Sequence, residues 1–318
     1  MPSSPLLYEV WCPVMVDIIN GSAAWRTLKP HPIETMTFPM LSNAMYVRNH
    51  KAASQTLWDF LPLLLGHHYF RAGKAHVAAQ TGLLRSWTPS AKHQVADRHK
   101  QQFTFSFVRE PIEMALAGYH EVEMLARTER RRTRRAEYEL IPCTKDRSLE
   151  RYSRFLQHLE QADVTGPFDY HAYPQALKLA TTGVQRLDFI GRVESFEMDV
   201  RGLIGRLRGF EVPSTKFQVN LTAEWIDSVL TGRQPYLWAE NTTSESRLYK
   251  YSYHPLHANR SRYTSPCALT AEALRLEPLL MCRVCNLYAT DYLCLRDIYP
   301  MPRECHTCTP PLNRDSTL

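Results

Sequence analysis

The stretch MYVRNHKAASQTLWDFL, residues 45–61, decides the fold class that we expect for this chain of 318 residues. Its first part is short and apolar, which is typical of a buried β-strand, and the apolar spacing of its last part is typical of an α-helix. Between them lies a turn of small and hydroxylated residues that contains Lys51, and Ser54 can cap the helix that follows. We therefore predict a strand over residues 44–48, then a turn with Lys51, then a helix.

The same order of strand, turn and helix recurs twice further along the chain. In QQFTFSFV, residues 101–108, phenylalanine alternates with other residues, which is a β-strand pattern, and Pro111 suits the first position of a helix. A third unit begins with a short apolar strand at 187–190 and continues into a helix that carries Phe196 and Leu203. Three such units predict an α/β fold with a parallel sheet, in which ligands bind at the carboxyl ends of the strands.

The turn at Lys51 has the chemistry of a phosphate-binding loop. A loop that leads into a helix N-terminus presents backbone N–H groups and the positive end of the helix dipole to an anion. Lys51 adds a mobile positive charge, and the hydroxyls of Ser54 and Thr56 can donate hydrogen bonds to phosphate oxygens. The glycines of the common nucleotide-binding loop are absent, and Lys51 precedes the small residues instead of following them, so an ordinary ATPase is disfavoured.

A second anion site is predicted at Arg109, which follows the second strand in the stretch FSFVREP. A guanidinium group can bind a phosphate through two parallel hydrogen bonds. Taken singly, a surface role for Lys51 and a structural ion pair for Arg109 are the simpler explanations. Together, two cationic turns on neighbouring strands indicate a ligand with two separated phosphate groups.

Four ordered motifs resemble those of the sulfotransferases that use 3′-phosphoadenosine 5′-phosphosulfate (PAPS), in particular the Golgi carbohydrate branch. The loop that binds the 5′-phosphosulfate in that family is similar to RNHKAASQT, and its 3′-phosphate motif is similar to FTFSFVREPIEMALAGY. Two later stretches of this chain resemble family segments in order and spacing. The first is HAYPQ followed by LDFIGRVESFEMD, and the second is LYATDYLCLRDIYPMPREC. The resemblance runs from about residue 44 to residue 305. It implies a P-loop-like three-layer α/β/α fold with a central parallel sheet.

The resemblance also implies roles for individual residues. Lys51 would be catalytic, because it would stabilise the leaving group as the sulfuryl group moves from PAPS to an acceptor hydroxyl, and Arg109 would bind the 3′-phosphate. The expected cofactor-binding residues are Lys51, Ala52, Ala53, Ser54, Gln55, Thr56, Arg109 and Ala117. Ala117 departs from the family pattern, which usually has a serine there, and Met114 stands where a second arginine is frequent.

The departure at Ala117 leaves a second function open. Loss of one hydroxyl to a phosphate would cost about 1–3 kcal/mol of cofactor binding. The alternative to an active enzyme is therefore a non-catalytic protein of the same fold that binds polyanionic glycans.

The sequence does not single out a general base for the acceptor hydroxyl. The candidates that lie near the motifs are His76, His93, His120 and Glu121, and for each of them a surface or packing role is the competing explanation. His171 and Glu194 belong to the matching segments, where they could either shape the site or take part in the chemistry.

The surface charge agrees with an anionic ligand without identifying it. The formal net charge is +6 and the pI is about 8.9, which favours nucleotides, acidic glycans or nucleic acid as ligands. The densest positive segment, RTERRRTRR at residues 127–135, is either a solvated helix face or an anion-binding surface. The resemblance implies a carbohydrate acceptor, neutral or anionic, and no nucleic acid.

The eight cysteines leave two possibilities open. The pairs Cys282-x-x-Cys285 and Cys305-x-x-Cys308 have a spacing that a zinc ribbon can use. The first pair, however, lies in an apolar helical run without a glycine turn, which favours core thiols. We therefore expect no metal, and a zinc-dependent nucleic-acid module is the disfavoured alternative. The family resemblance implies a disulfide between Cys294 and Cys305 if the compartment is oxidising.

The expected organisation is an N-terminal extension over residues 1–43, a sulfotransferase domain over 44–308 and a flexible tail over 309–318. No apolar run is long enough to span a membrane, because Glu9 and Asp17 interrupt the best candidate. The resemblance implies a location in the Golgi lumen or membrane, although no targeting segment is visible in this chain. The Asn-x-Ser/Thr sequons that would suit glycosylation in a secretory lumen are at Asn20, Asn220, Asn241 and Asn259.

Overall fold

The structure is a computed structural model, and it describes twelve stretches of the chain. These are residues 12, 33–38, 44–49, 51–52, 57, 84–86, 103–127, 141–161, 170–181, 187–207, 224 and 266–308. The four sequons, His76, His93, the C-terminal tail and nearly all of the arginine-rich segment lie outside the described residues.

A five-stranded sheet lies at the centre of the described fold. Its strands are β1 (Ile33–Phe38), β2 (Ala44–Val47), β3 (Leu84–Ser86), β4 (Thr104–Val108) and β5 (Phe189–Arg192). They are arranged in the order β3-β1-β2-β4-β5. Strands β2, β4 and β5 are parallel neighbours, whereas β1 pairs antiparallel with both β2 and β3. The parallel sheet predicted from the three sequence units is confirmed, and the two antiparallel strands extend it beyond that prediction.

Helices follow β4 and β5, as the sequence predicts for an α/β fold, whereas the helix predicted after Lys51 lies outside the described residues except for Leu57. Those with described bounds are α1 (Pro111–Arg127), α2 (Ser148–Gln161), α3 (Gln175–Thr181), α4 (Phe196–Leu207), α5 (Ala271–Arg275), α6 (Pro278–Leu287), α7 (Ala289–Cys294) and α8 (Arg303–His306), with a 3₁₀ turn at Tyr170–Ala172. Pro111 and Pro278 stand at the first position of their helices, where the missing N–H of proline costs nothing. Within the described part of the chain, no helix has the length and apolarity of a membrane span.

The central strands β2 and β4 are buried along their whole length, as expected for strands covered on both faces. On one face, the Phe107 ring packs against Phe196 of α4 with 5.5 Å between ring centroids. On the other face, Met45 and Val108 belong to a core cluster with Leu179 of α3. This burial fixes the sheet, so that its carboxyl edge is a rigid platform for the turns that follow.

A second core cluster joins α1 with α2, α5 and α6. Tyr119 of α1 lies at its centre, with ring centroids 4.9 Å from Tyr152 and 5.0 Å from Phe155. Met114 is fully buried in the same cluster. The position at which sulfotransferases frequently have a second arginine is therefore a core position here.

The described disulfides correct the pairing that the family resemblance implies. They are Cys12–Cys294, Cys143–Cys267, Cys282–Cys308 and Cys285–Cys305. The expected bond between Cys294 and Cys305 is wrong, because the two residues lie in different core clusters. Cys294 ends α7 beside the sheet, whereas Cys305 lies on α8, which packs against α6.

The two C-x-x-C pairs do meet in the structure, but as disulfides and not as four thiolates. Each bond joins one cysteine of α6 to one in or directly after α8. A sulfur in a disulfide cannot act as the thiolate ligand that zinc needs. Glu123 with Cys143 and Cys267 is another group with possible ligand atoms among the described residues. Its cysteines are also bonded to each other, and its carboxylate binds Arg151.

Candidate active site

The carboxyl ends of the parallel strands bring the Lys51 and Arg109 turns together. Asn49, which follows β2, is fully buried, and its side-chain amide donates to the carbonyl of Phe107 in β4 at 3.0 Å. The same amide donates to Gln175 Oε1 at 3.3 Å, and this oxygen also accepts the N–H of Arg109. Asn49 and Gln175 thus connect the two turns, which lie side by side as the sequence predicts.

Lys51 has a backbone conformation that side chains disfavour. Its φ is 67°, in the left-handed region, which costs about 1–2 kcal/mol for a residue other than glycine. A hydrogen bond from the Ala52 N–H to the Asn49 carbonyl, 3.3 Å long, closes the turn. Residues that are held in such strained conformations cluster at functional sites.

The Lys51 ammonium contacts helix α1 through an ion pair. Lys51 Nζ lies 2.6 Å from Glu121 Oε2, and the two side chains are only 17% and 20% exposed. The other carboxylate oxygen, Oε1, lies 4.0 Å from His171 Nε2 in the 3₁₀ turn. Glu121 therefore lies between two basic side chains at the sheet edge.

Gly118 allows α1 to approach the 3₁₀ turn that carries His171. A Cβ atom at this position would lie 2.7 Å from the carbonyl oxygen of His171 and 2.9 Å from the Cα of Ala172. Real Cβ atoms do not come this close to backbone atoms, which cannot move aside as a flexible side chain can. The absence of a side chain at Gly118 is thus what lets His171 reach the neighbourhood of Glu121.

The backbone of Arg109 is clamped by Gln175 at the start of α3. The N–H of Arg109 donates to Gln175 Oε1, and Gln175 Nε2 donates to the Arg109 carbonyl, both at 2.7 Å. Gln175 is itself held by Asp291, whose carboxylate accepts the backbone N–H groups of Gln175 at 3.0 Å and Ala176 at 2.7 Å. Complete burial raises the pKa of Asp291 to about 6, although these N–H donors oppose the shift.

The clamp leaves the side chain of Arg109 half-buried beside the turn. Among the described residues, no carboxylate pairs with its guanidinium group. Arg109 can therefore offer its donors to an anionic ligand.

The first turn of α1 is braced by two carboxylates and two tyrosines. Glu110 caps the helix, because its carboxylate accepts the N–H of Glu113 at 2.8 Å and the hydroxyl of Tyr292 at 3.0 Å. Burial raises the pKa of Glu110 above its ordinary value. Glu194, which follows β5, accepts the N–H of Glu110 at 2.9 Å and the hydroxyl of Tyr299. Of the two roles that the sequence leaves open for Glu194, these contacts correspond to shaping the site.

The side chain of His120 lies within the electrostatic influence of both Lys51 and Arg109. Burial lowers the pKa of His120, and the positive charges of Arg109 and Lys51 lower it further. Its Nε2 atom accepts the N–H of Leu269 at 3.2 Å, which requires an unprotonated nitrogen. Lys51 and Arg109 therefore lie close enough to influence the same neutral imidazole.

The structure describes four of the eight residues that were expected to bind the cofactor. Lys51 and Ala52 lie in the turn after β2, Arg109 follows β4, and Ala117 is half-buried on α1, one turn before Glu121. Ala53, Ser54, Gln55 and Thr56 lie outside the described residues, so their roles stay predictions.

Sequence reasoning missed the residues that position the two turns. Asn49, Gln175 and Asp291 make these contacts. Gln175 and Asp291 stand in the HAYPQ and LYATDY segments, so the family resemblance marked their segments without giving them a role.

Comparison with protein families agrees with this geometry. The sulfotransferase family model matches residues 42–295, which is most of the chain and includes the three parallel strands with both cationic turns. The chain belongs to the sulfotransferase family, and this membership supports sulfuryl transfer as its general reaction. It is consistent with the Golgi carbohydrate branch. No curated protein and no solved structure matches the chain significantly.

Proposed function

We propose that the protein is a PAPS-dependent sulfotransferase that transfers a sulfuryl group to a hydroxyl of a carbohydrate, on a P-loop-like three-layer α/β/α fold. One observation carries the proposal. Lys51 and Arg109 follow neighbouring parallel strands, share the Asn49–Gln175 connection and act on the same imidazole of His120. This arrangement fits a nucleotide that carries phosphate at both its 3′ and 5′ positions.

The described residues can be assigned to the two ends of such a nucleotide. Arg109 would bind the 3′-phosphate through its guanidinium group. Lys51 and the backbone of residues 52–56 would hold the 5′ end, and Lys51 would neutralise the charge that develops there during transfer. PAPS would supply the activated sulfuryl group. Ala117 adds no hydroxyl, so cofactor binding would depend more on Arg109 than in relatives with a serine at this place. We propose no metal, because two side-chain cations supply the positive charge.

An oxidising secretory compartment is the proposed location, with the Golgi lumen or membrane as its most specific form. All eight cysteines of the sequence take part in the four described disulfides. Disulfides form and persist in secretory compartments and are rare in the reducing cytosol. The sequons would make the protein a glycoprotein there.

The acceptor is proposed to be a carbohydrate, and the net charge of +6 favours an anionic one over a neutral one. The test is incubation with labelled PAPS and a panel of desulfated glycosaminoglycans and neutral oligosaccharides. Transfer to at least one glycan, with release of 3′-phosphoadenosine 5′-phosphate (PAP), is expected. Absence of transfer together with absence of PAP binding at millimolar concentration would refute the proposal.

A non-catalytic polyanion-binding protein is the second candidate. Two observations favour it: the missing hydroxyl at Ala117, and the engagement of Lys51 with Glu121 instead of an open position. It predicts binding of polyanionic glycans without sulfate transfer to any member of the panel.

A further inference from the structure

We infer that Glu121 is the general base of the reaction, and that its ion pair with Lys51 holds this base until the donor binds. The inference rests on the proposed function and goes beyond it, since the sequence leaves the proton acceptor open among several candidates. Among the described residues, Glu121 is the carboxylate in direct contact with Lys51, the side chain expected at the leaving group.

The distance places Glu121 at the reaction centre. Glu121 Oε2 lies 2.6 Å from Lys51 Nζ. Any other oxygen that binds the same ammonium group is therefore a close neighbour of the Glu121 carboxylate. An acceptor hydroxyl that attacks the sulfur in line must come close to this region, and a general base has to lie within hydrogen-bond reach of the hydroxyl. The Glu121 side chain is 20% exposed, so substrate can reach it.

Three other candidate bases at this edge, His120, Glu194 and Glu110, accept structural hydrogen bonds. The Nε2 atom of His120 accepts the N–H of Leu269, and the carboxylate of Glu194 accepts from Glu110 and Tyr299. The carboxylate of Glu110 accepts from Tyr292 and caps α1. Glu121, in contrast, faces an ammonium on a flexible stem and an imidazole 4.0 Å away. Its oxygens therefore keep lone pairs for an incoming hydroxyl.

The ion pair couples the base to the donor. A bound 5′-phosphate would compete with Glu121 for the Lys51 ammonium, because both offer anionic oxygens to the same cation. When Lys51 turns to the phosphate, the carboxylate of Glu121 loses its closest partner and can accept the proton of a hydroxyl. Without donor, Lys51 holds Glu121, which favours donor binding before acceptor binding.

The transfer step moves the sulfuryl group from the donor phosphate to the acceptor oxygen. The acceptor oxygen forms a bond to sulfur while the bond between sulfur and the phosphate oxygen breaks, and the electron pair leaves with the nucleotide. Glu121 receives the proton of the acceptor hydroxyl, and Lys51 neutralises the charge on the departing phosphate. Among the described residues, the charged and titratable groups that contact Glu121 are Lys51 from the turn after β2 and His171 from the 3₁₀ turn. Lys51 and Arg109 also act electrostatically on His120, the preceding residue of α1.

Glu121→Gln tests the inference, because it keeps the shape of the side chain and removes its capacity to accept a proton. We expect kcat to fall by roughly 100- to 10,000-fold, as is usual for loss of a general base. PAP affinity in calorimetry should stay equal or increase, because Lys51 is released from its ion pair. The acid limb of the kcat profile against pH should disappear in the residual activity, whereas Glu121→Asp should keep it.

A matched control is Glu150→Gln on α2, where an exposed carboxylate pairs with Arg147. It removes one charge and one ion pair, and it should leave both kcat and PAP affinity unchanged. If Glu121→Gln keeps kcat within threefold of the wild type, the base assignment is overturned while the proposed function stands. If Glu121→Gln loses PAP binding together with kcat, the residue is structural and the inference is also overturned. A wild-type protein that neither binds PAP nor transfers sulfate overturns the proposed function and this inference together.

Discussion

Replacement of Gln175 by leucine should loosen the Arg109 turn by an amount that the contacts define. Leucine keeps a similar bulk but has no polar atoms, so the N–H and the carbonyl of Arg109 lose partners at 2.7 Å each. A buried polar group without a partner costs about 1–3 kcal/mol. Asn49 keeps its bond to Phe107, and Arg109 is half-buried, so water can compensate in part. We therefore expect a loss of about 2–4 kcal/mol in the free energy of unfolding.

This loss is measurable by urea denaturation and leaves a protein of ordinary stability folded. PAP affinity should fall about tenfold, which corresponds to about 1.4 kcal/mol, because Arg109 is no longer held in place. Gln157→Leu on α2 is the control, since that glutamine accepts only an exposed hydrogen bond from Arg154, and it should change stability by less than about 0.5 kcal/mol. Equal unfolding free energies and equal PAP affinities for Gln175→Leu and the wild type would refute the clamp.

Three further predictions concern the same edge of the sheet. Gly118→Ala should destabilise the protein by about 1–3 kcal/mol, because the added methyl group clashes with the His171 carbonyl. Helix propensity alone would instead stabilise the alanine variant by about 1 kcal/mol, and a gain in unfolding free energy of that size would contradict the close packing. Because burial raises the pKa of Asp291 to about 6 from 3.8, the folded protein keeps a proton there that the unfolded chain releases. Stability should thus fall by about 3 kcal/mol as pH rises through this window. In urea denaturation at several pH values, the unfolding free energy of Asp291→Asn should lack this pH-dependent fall. Parallel curves of unfolding free energy against pH for the variant and the wild type would contradict the assignment to Asp291. Finally, Lys51→Ala should abolish sulfate transfer, whereas Arg109→Ala should mainly raise the KM for PAPS, by roughly 10- to 100-fold; unchanged kinetics in either variant would reject its assigned role.

Local patterns in the sequence were sufficient for the parallel part of the fold. The apolar runs before Lys51 and Arg109 predict β2 and β4, because central parallel strands are buried on both faces and read as short apolar segments. The run at 187–190 predicts β5, which lies at the edge of the described sheet and begins two residues later, at Phe189–Arg192. The helix that begins at Pro111 follows from its apolar spacing. Strands β1 and β3 were missed because neither segment carries a strong strand pattern of its own, and β3 pairs with a strand far earlier in the chain.

Contacts between distant segments explain what the sequence left open at the site. Gln175 clamps a residue 66 positions earlier, and Asp291 holds Gln175 from 116 positions further on. No local pattern encodes such partners. The disulfides are a similar case: two bonds between α6 and α8 arise from helix packing, which the spacing of the cysteines alone cannot distinguish from a metal site.

The most direct test of the central claim is a calorimetric comparison of two nucleotides, PAP and adenosine 5′-phosphate, with the wild type and Arg109→Ala. If Lys51 and Arg109 bind opposite ends of one nucleotide, the wild type should bind PAP at least tenfold more tightly than adenosine 5′-phosphate, and Arg109→Ala should lose this preference. Equal affinity of the wild type for both nucleotides, or a preference for PAP that survives in Arg109→Ala, would contradict the claim.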